Sequence, residues 1–371
     1  MVRTTLYDNA TTFRHLRALS PPLSHLSHTK LWQYFAKFQS RSGATLENLL
    51  IAAPFVTRVE ADIAVNVLDA VTMPLGRAAS YGLVCVRRLR VSYRPASFSA
   101  FLANARRLLT LSELELGFYL KEGNVEALVH FALNKPLTAL SLTGREIPPA
   151  AMPSLTRLIN GHSLTALDFD ELLPSIAFCS AVAAAPLVRL YYEHAGLFDT
   201  LTTGLSLLGA VTRHPTLRYL SLSENFVPVA GRVAVGAALG LLVATDSPLV
   251  TLNISLCNLG YDGSLPFIHA LPHNTHLHRL ECEENDFTQV VAARLLAAVR
   301  ANASLIYLRA MWAEDDPILM PELLEAVTVV AARANAVSEA ATAARKAACQ
   351  PVPPPQRSSP PPRLALPPHA A

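Results

Sequence analysis

The apolar positions of this chain fall into a short frame that keeps returning. Leu277, Leu280 and Cys282 stand in L-x-x-L-x-L spacing, with cysteine in the last place. The same spacing occurs at Leu305/Leu308/Ala310, Leu249/Leu252/Ile254, Leu217/Leu220/Leu222, Leu187/Leu190/Tyr192 and Leu164/Leu167/Phe169. Upstream it occurs at Leu137/Leu140/Leu142, Leu111/Leu114/Leu116 and Val86/Leu89/Val91, with a fainter copy at Val56/Val59/Ala61. From Val86 onward the copies start 25, 26, 27, 23, 30, 32, 28 and 28 residues apart. Alternation inside each frame is the period of a strand with one buried face. Between frames the apolar residues recur at helical spacing, as in 290–299, 233–243, 151–159 and 205–211. The first of these is rich in Ala, the strongest helix former. Turns such as "RHPT", "DSP" and "RANAS" follow most of them. Each unit therefore reads strand, loop, helix, loop.

A fixed period of this length is the signature of a solenoid. One strand–helix unit cannot bury its apolar face alone, whereas stacked units bury a continuous core. Strands pack about 4.8 Å apart and helices about 10 Å apart, so the stack curves with its strands inside. The pattern resembles the leucine-rich repeat family, in its ribonuclease-inhibitor-like subclass, over residues 56–335. The ninth position of the frame carries that family's Asn or Cys at Asn225, Cys257 and Asn285. Elsewhere it holds Arg94, Tyr119, Arg145, Leu172, Ala195 and Ala313. The resemblance implies an α/β leucine-rich repeat solenoid of about ten repeats. It would be a curved horseshoe with parallel strands on the concave face and helices on the convex face. It also implies that the ninth-position side chains hydrogen-bond loop backbone and stack into a ladder.

The two ends depart from the period. Residues 1–55 are read as an N-terminal helical cap or a short recruitment segment, with an amphipathic helix at 29–38 and a second helix at 46–52. Residues 336–371 are read as a helical fray followed by a Pro-rich disordered tail, with nine prolines in the last 21 residues.

Composition narrows the function. The chain is 51% hydrophobic and 16% charged, so it has the makings of a sizeable core. No acidic residue follows Glu339, while Arg345, Lys346, Arg357 and Arg363 do. The chain's +3 less this +4 leaves −1 for residues 1–339. The repeats therefore offer no basic footprint for nucleic acid. Five cysteines without a C-x-x-C fit buried thiols in a reducing compartment, and a cytoplasmic location is expected. The N-terminus has no apolar signal run. The longest uncharged stretch, 172–188, is 17 residues with two prolines, too short to span a bilayer. No P-loop, G-x-S-x-G, G-x-G-x-x-G or H-E-x-x-H occurs, so neither an enzyme nor a cofactor or metal is expected. The polar run around His273, His276, His278 and Cys282 is read as an ordinary repeat junction. Cys282 then takes a core aliphatic's place and faces away from the imidazoles.

What remains is the concave face. The frame puts Glu113, Glu115, Phe118, Asp168, Asp170, Arg189, Tyr191, Glu193, Tyr219, Ser221 and Glu224 on it. Asn253, Arg279, Glu281, Glu283, Tyr307, Arg309 and Trp312 follow. Acids outnumber bases from Glu113 to Glu284, and aromatics and Arg are typical interface anchors. The expectation is a monomeric, non-enzymatic scaffold that binds a protein partner with a basic surface, not a membrane. The alternatives are a substrate-selecting adaptor of F-box or effector type, or a regulator of a small GTPase.

Overall fold

The computed structural model describes residues 25–26, 58–61, 87–91, 97–106, 108–143, 147–244, 247–310 and 321–348. Among them, eleven strands form one sheet in strict chain order, every neighbouring pair parallel. They are β1 (His25–Leu26), β2 (Arg58–Ala61), β3 (Arg88–Val91), β4 (Glu113–Leu116), β5 (Ala139–Leu142) and β6 (Ala166–Asp170). β7 (Arg189–Glu193), β8 (Tyr219–Ser221), β9 (Thr251–Asn253), β10 (Arg279–Glu281) and β11 (Tyr307–Arg309) complete it. Each of β2–β11 lies on a copy of the frame. The helices between them are α1 (Phe98–Ala105), α2 (Glu122–Leu133), α3 (Met152–Gly161), α4 (Ile176–Ala184) and α5 (Leu201–Thr212). Then come α6 (Arg232–Ala244), α7 (Gly260–Ala270), α8 (Gln289–Ala301) and α9 (Pro321–Ala348). From α1 on, each packs on its sequence neighbours. This is a leucine-rich-repeat-type solenoid.

β1 lies inside the segment 1–55. His25 pairs with Arg58 and Leu26 with Val59. The sequence there, L-S-H-L-S-H from Leu23 to His28, keeps the two leucines of the frame and puts histidine in the third place. The helices expected at 29–38 and 46–52 lie outside the described residues.

The frame residues fill the core as their alternation requires. The middle leucines Leu114, Leu140, Leu167, Leu190, Leu220, Leu252 and Leu280 are each exposed by 1% or less. Each such burial contributes about 2 kcal/mol. Cys282 is fully buried in the third place, as the frame predicts. The shortest unit, 164–186, has a helix of only nine residues and carries aromatics where others have leucine. Phe169, Phe178 and Tyr192 meet there with centroids 5.7–6.2 Å apart and fill the space. The buried Tyr192 hydroxyl donates to the Leu172 carbonyl.

The turns after the strands share one device. Glu171, His194, Glu224, Leu256 and Glu284, each two residues past the frame, all have left-handed backbone with φ between 47 and 61°. That turn swings the ninth position inward. Asn225 Oδ1 there accepts from Ala195 N and Leu197 N, and its Nδ2 donates to the Tyr192 carbonyl of the preceding unit. Cys257 Sγ donates to Leu222 O and Asn285 Nδ2 to Ile254 O, again one unit back. The expected ladder therefore exists in these three units. A second set sits where helices end. Asn274 and Asn302 accept from the amides two and three residues on and donate to Val243 O and Leu271 O of the preceding unit. His214 Nδ1 accepts from Leu217 N in the same way. The frame did not reveal this second set.

Side chains start three of the helices: Ser97 accepts from Ala100 N, Ser175 from Phe178 N and Thr288 from Val291 N. α6 and α7 approach through glycine. A Cβ on Gly236 would stand 2.6 Å from the Gly263 carbonyl oxygen, and one on Gly240 2.8 Å from Pro266 Cβ. At the far end α9 buries Leu323, Ala326 and Val330 over the last unit. Arg333 then donates to Val299 O at the end of α8 and to Leu305 O. Beyond Ala334, residues 335–344 of α9 are exposed. Among the described residues no helix is long and apolar enough to cross a membrane.

Candidate protein-binding face

The outward strand positions form two rows. The first runs Arg88, Glu113, Ala139, Ala166, Arg189, Tyr219, Thr251, Arg279, Tyr307. The second runs Arg90, Glu115, Ser141, Asp168, Tyr191, Ser221, Asn253, Glu281, Arg309, through the same pairings. Asp170 and Glu193 lie opposite each other one step further along β6 and β7. The predicted residues are thus brought onto one surface, but they do not form one uniform acidic face.

Both flanks are neutralised from within. On β3–β4, Arg88 reaches Glu113 at 3.7 Å and Glu115 at 3.1 Å, and Arg90 reaches Glu115 at 3.0 Å. On β10–β11, Arg279 Nε meets Glu281 at 2.7 Å, and Arg309 Nε meets Glu283 at 2.6 Å. The Arg279 guanidinium also lies 3.8 Å over the Tyr307 ring. Glu283 corrects the sequence reading, since it is only 2% exposed and clamped by Arg309. Phe118, 7% exposed, packs edge-on against Phe98, and Ser221 is buried beside Glu193. Asn253 is half-buried and turns its side chain to Ser255 N. Trp312 lies outside the described residues.

The centre differs. Asp168 accepts from Ser141 Oγ at 2.8 Å and Glu193 from Ser221 Oγ, but among the described residues no arginine or lysine forms an ion pair with Asp168, Asp170 or Glu193. Glu224, on the neighbouring turn, lies 3.8 Å from the imidazole of His194. The consequence is electrostatic. Burial pushes the Asp168 carboxyl up to about 6, with Glu193, Glu115 and Asp170 adding to the push and Ser141 opposing it. Asp170 and Glu193 are raised as well, burial again being the main cause. Tyr191 and Tyr219 stand half-exposed among these carboxylates. Beside them the two alanines leave a groove, floored by Ala139 and Ala166 and walled by Arg88, Glu113 and Glu115 on one side and Arg189 and Tyr191 on the other. The alanines were visible as small outward residues in "LTALSL" and "LTALDF", but a list of charged and aromatic positions passed over them.

The thiols take no part in this surface. Cys179, Cys257 and Cys282 are buried, and burial raises Cys179 to about 11 and Cys257 to about 12. Among the described residues no group of His, Cys, Asp and Glu is placed to hold a metal ion.

No family model matches the chain, and no curated protein matches it. Solved structures do. One is the actin-binding site 2 of leiomodin-1, with TM-score 0.39 and 14% identity, covering 48% of this chain and 99% of that one. Another is the tropomodulin C-terminal domain of Caenorhabditis elegans, with TM-score 0.37 and 14% identity, covering 46% of this chain and 98% of that one. The likeness is partial.

Proposed function

We propose that this chain is a non-enzymatic scaffold whose concave face binds a protein partner carrying a basic segment. The observation that carries the reading is the contrast along one surface. Arginines neutralise the carboxylates of β4 and β10, while Asp168, Asp170 and Glu193 between them have no such cation among the described residues. Holding like charges together unneutralised disfavours the folded state, and a basic partner relieves it. The exposed rings of Tyr191 and Tyr219 in the same patch are suited to anchoring such a partner. The buried, high-pKa thiols and the serine-bonded carboxylates support the non-enzymatic part of the reading. The units with Asn225, Cys257 and Asn285 in register support assignment to the ribonuclease-inhibitor-like subclass. The pairing of His25–Leu26 with β2 favours residues 1–55 as part of the stack, a cap rather than a separate recruitment segment.

The test is affinity capture from native lysate with the full chain and with a variant carrying Asp168→Asn, Tyr191→Ala and Glu193→Gln, its folding checked by circular dichroism. A protein held by the wild type, released by rising salt and lost by the variant is the expected result. Equal capture by both would remove the concave centre from consideration.

A further inference from the structure

Two stretches of this sheet carry a related outward pattern of two carboxylates, preceded by an arginine in one and by an alanine in the other. β10 reads R-L-E-C-E and β6 reads A-L-D-F-D, so Ala166 stands where Arg279 stands, Asp168 where Glu281 stands and Asp170 where Glu283 stands. In β10 the arginine bonds Glu281 at 2.7 Å and lies 3.8 Å over an aromatic ring of the next strand, Tyr307. In β6 the carboxylates are present and the methyl group of Ala166 takes the arginine's place. The position opposite it on the next strand, where Tyr307 would stand, holds Arg189, and the ring of that strand is Tyr191, one row over, opposite Asp168. The methyl opens the groove floored by Ala139 and Ala166.

We propose that this groove takes an arginine side chain from an extended segment of the partner. Its aliphatic stem lies along the alanine floor, and its guanidinium meets Asp168 and the face of Tyr191. The inference rests on the reading of the concave face as a protein-binding surface, and it names the chemistry that surface recognises. Arginine fits better than lysine. Its flat fork pairs with a carboxylate and stacks on a ring at once, as Arg279 does, whereas an ammonium is a strongly hydrated point charge.

The experiment uses the full chain and two fluorescein-labelled probes, hexa-arginine and hexa-lysine, titrated by fluorescence anisotropy at matched ionic strength. Two variants bear on the groove. Ala166→Arg supplies the cation from within, and Asp168→Asn removes the carboxylate. Glu126→Gln, on the opposite face in α2, controls for bulk charge. The expected result is tighter binding of hexa-arginine than of hexa-lysine. Each groove variant should weaken hexa-arginine about tenfold and Glu126→Gln should leave it unchanged, a tenfold loss being what one charged hydrogen bond supplies. Asp168→Asn keeps the test open should Ala166→Arg not fold. Equal affinity for both probes, or hexa-arginine binding untouched by both groove variants, overturns the arginine assignment. Displacement of hexa-arginine by equimolar peptide 350–371 would make this chain's own tail the occupant and overturn the assignment to a partner. A protein captured from lysate and lost on Tyr191→Ala while neither probe binds would leave the face reading standing and sink the groove.

Discussion

Asp168 is the side chain in which stability and recognition pull apart. Its folded pKa of about 6 lies above the ordinary carboxylate value of 3.8, so the folded state favours the protonated form. The sign follows directly. Below about pH 4 the group does not oppose folding, its opposition grows as pH rises toward 6, and above that it is complete. Asp168→Asn should therefore be more stable than the wild type at pH 7.5, by roughly 2 kcal/mol, since a tenfold change in proton affinity is worth about 1.4 kcal/mol and solvent screening trims the total. At pH 4.5 the advantage should have fallen to about a third of that. Urea denaturation at the two pH values measures it, and a variant less stable than wild type at pH 7.5 would mean the carboxylate is adequately neutralised in the fold. Partner binding should run the other way, weakening as pH falls through 6.

At the scale of the element, the α6–α7 contact shows how glycine sets helix distance. Gly236→Ala would bring a Cβ to 2.6 Å from the Gly263 carbonyl oxygen and 2.7 Å from its Cα, so backbone must move. The expected cost of overpacking is about 1–3 kcal/mol, set against the helix preference of Ala over Gly of up to about 1 kcal/mol. Gly209→Ala in α5 is the matched control, because nothing lies within 4 Å of its Cβ position. Thermal melts of the two variants should shift in opposite directions, Gly236→Ala downward and Gly209→Ala upward. The left-handed turns are a second element-level device. Only some of the residues that occupy them suit that backbone, so Leu256 and Glu284 are held there by the stack rather than by preference.

Over the whole molecule, the side-chain ladders divide the stack unequally. Asn225, Cys257 and Asn285 join β7–β10 unit to unit, and Asn274 and Asn302 repeat the arrangement at the helix ends. The units of β4–β6 have no Asn or Cys at the ninth position. A solenoid's stability is close to a sum over neighbours, so its ends need not open together. Amide hydrogen exchange should be slower in β7–β10 than in β4–β6, and equal protection across both would deny the ladders that role.

The same scale explains what the sequence disclosed. Strand positions were legible because each is fixed by three apolar residues close together in the chain. β1 escaped because His28 breaks its frame. Charge neutralisation escaped for a different reason: Arg88 and Glu115, or Arg309 and Glu283, are 27 and 26 residues apart and become neighbours only when units lie side by side. Glu283 is buried by a side chain from the next unit, which no reading of its own unit contains.

The last helix has a mechanical meaning. α9 holds the stack through its first turns and is pinned by Arg333, yet it continues through Ala348. At 1.5 Å per residue, about 20 Å of it extends past Ala334. It acts as a spar: its far end stands clear of the last buried turn and swings rigidly with the body as the body turns.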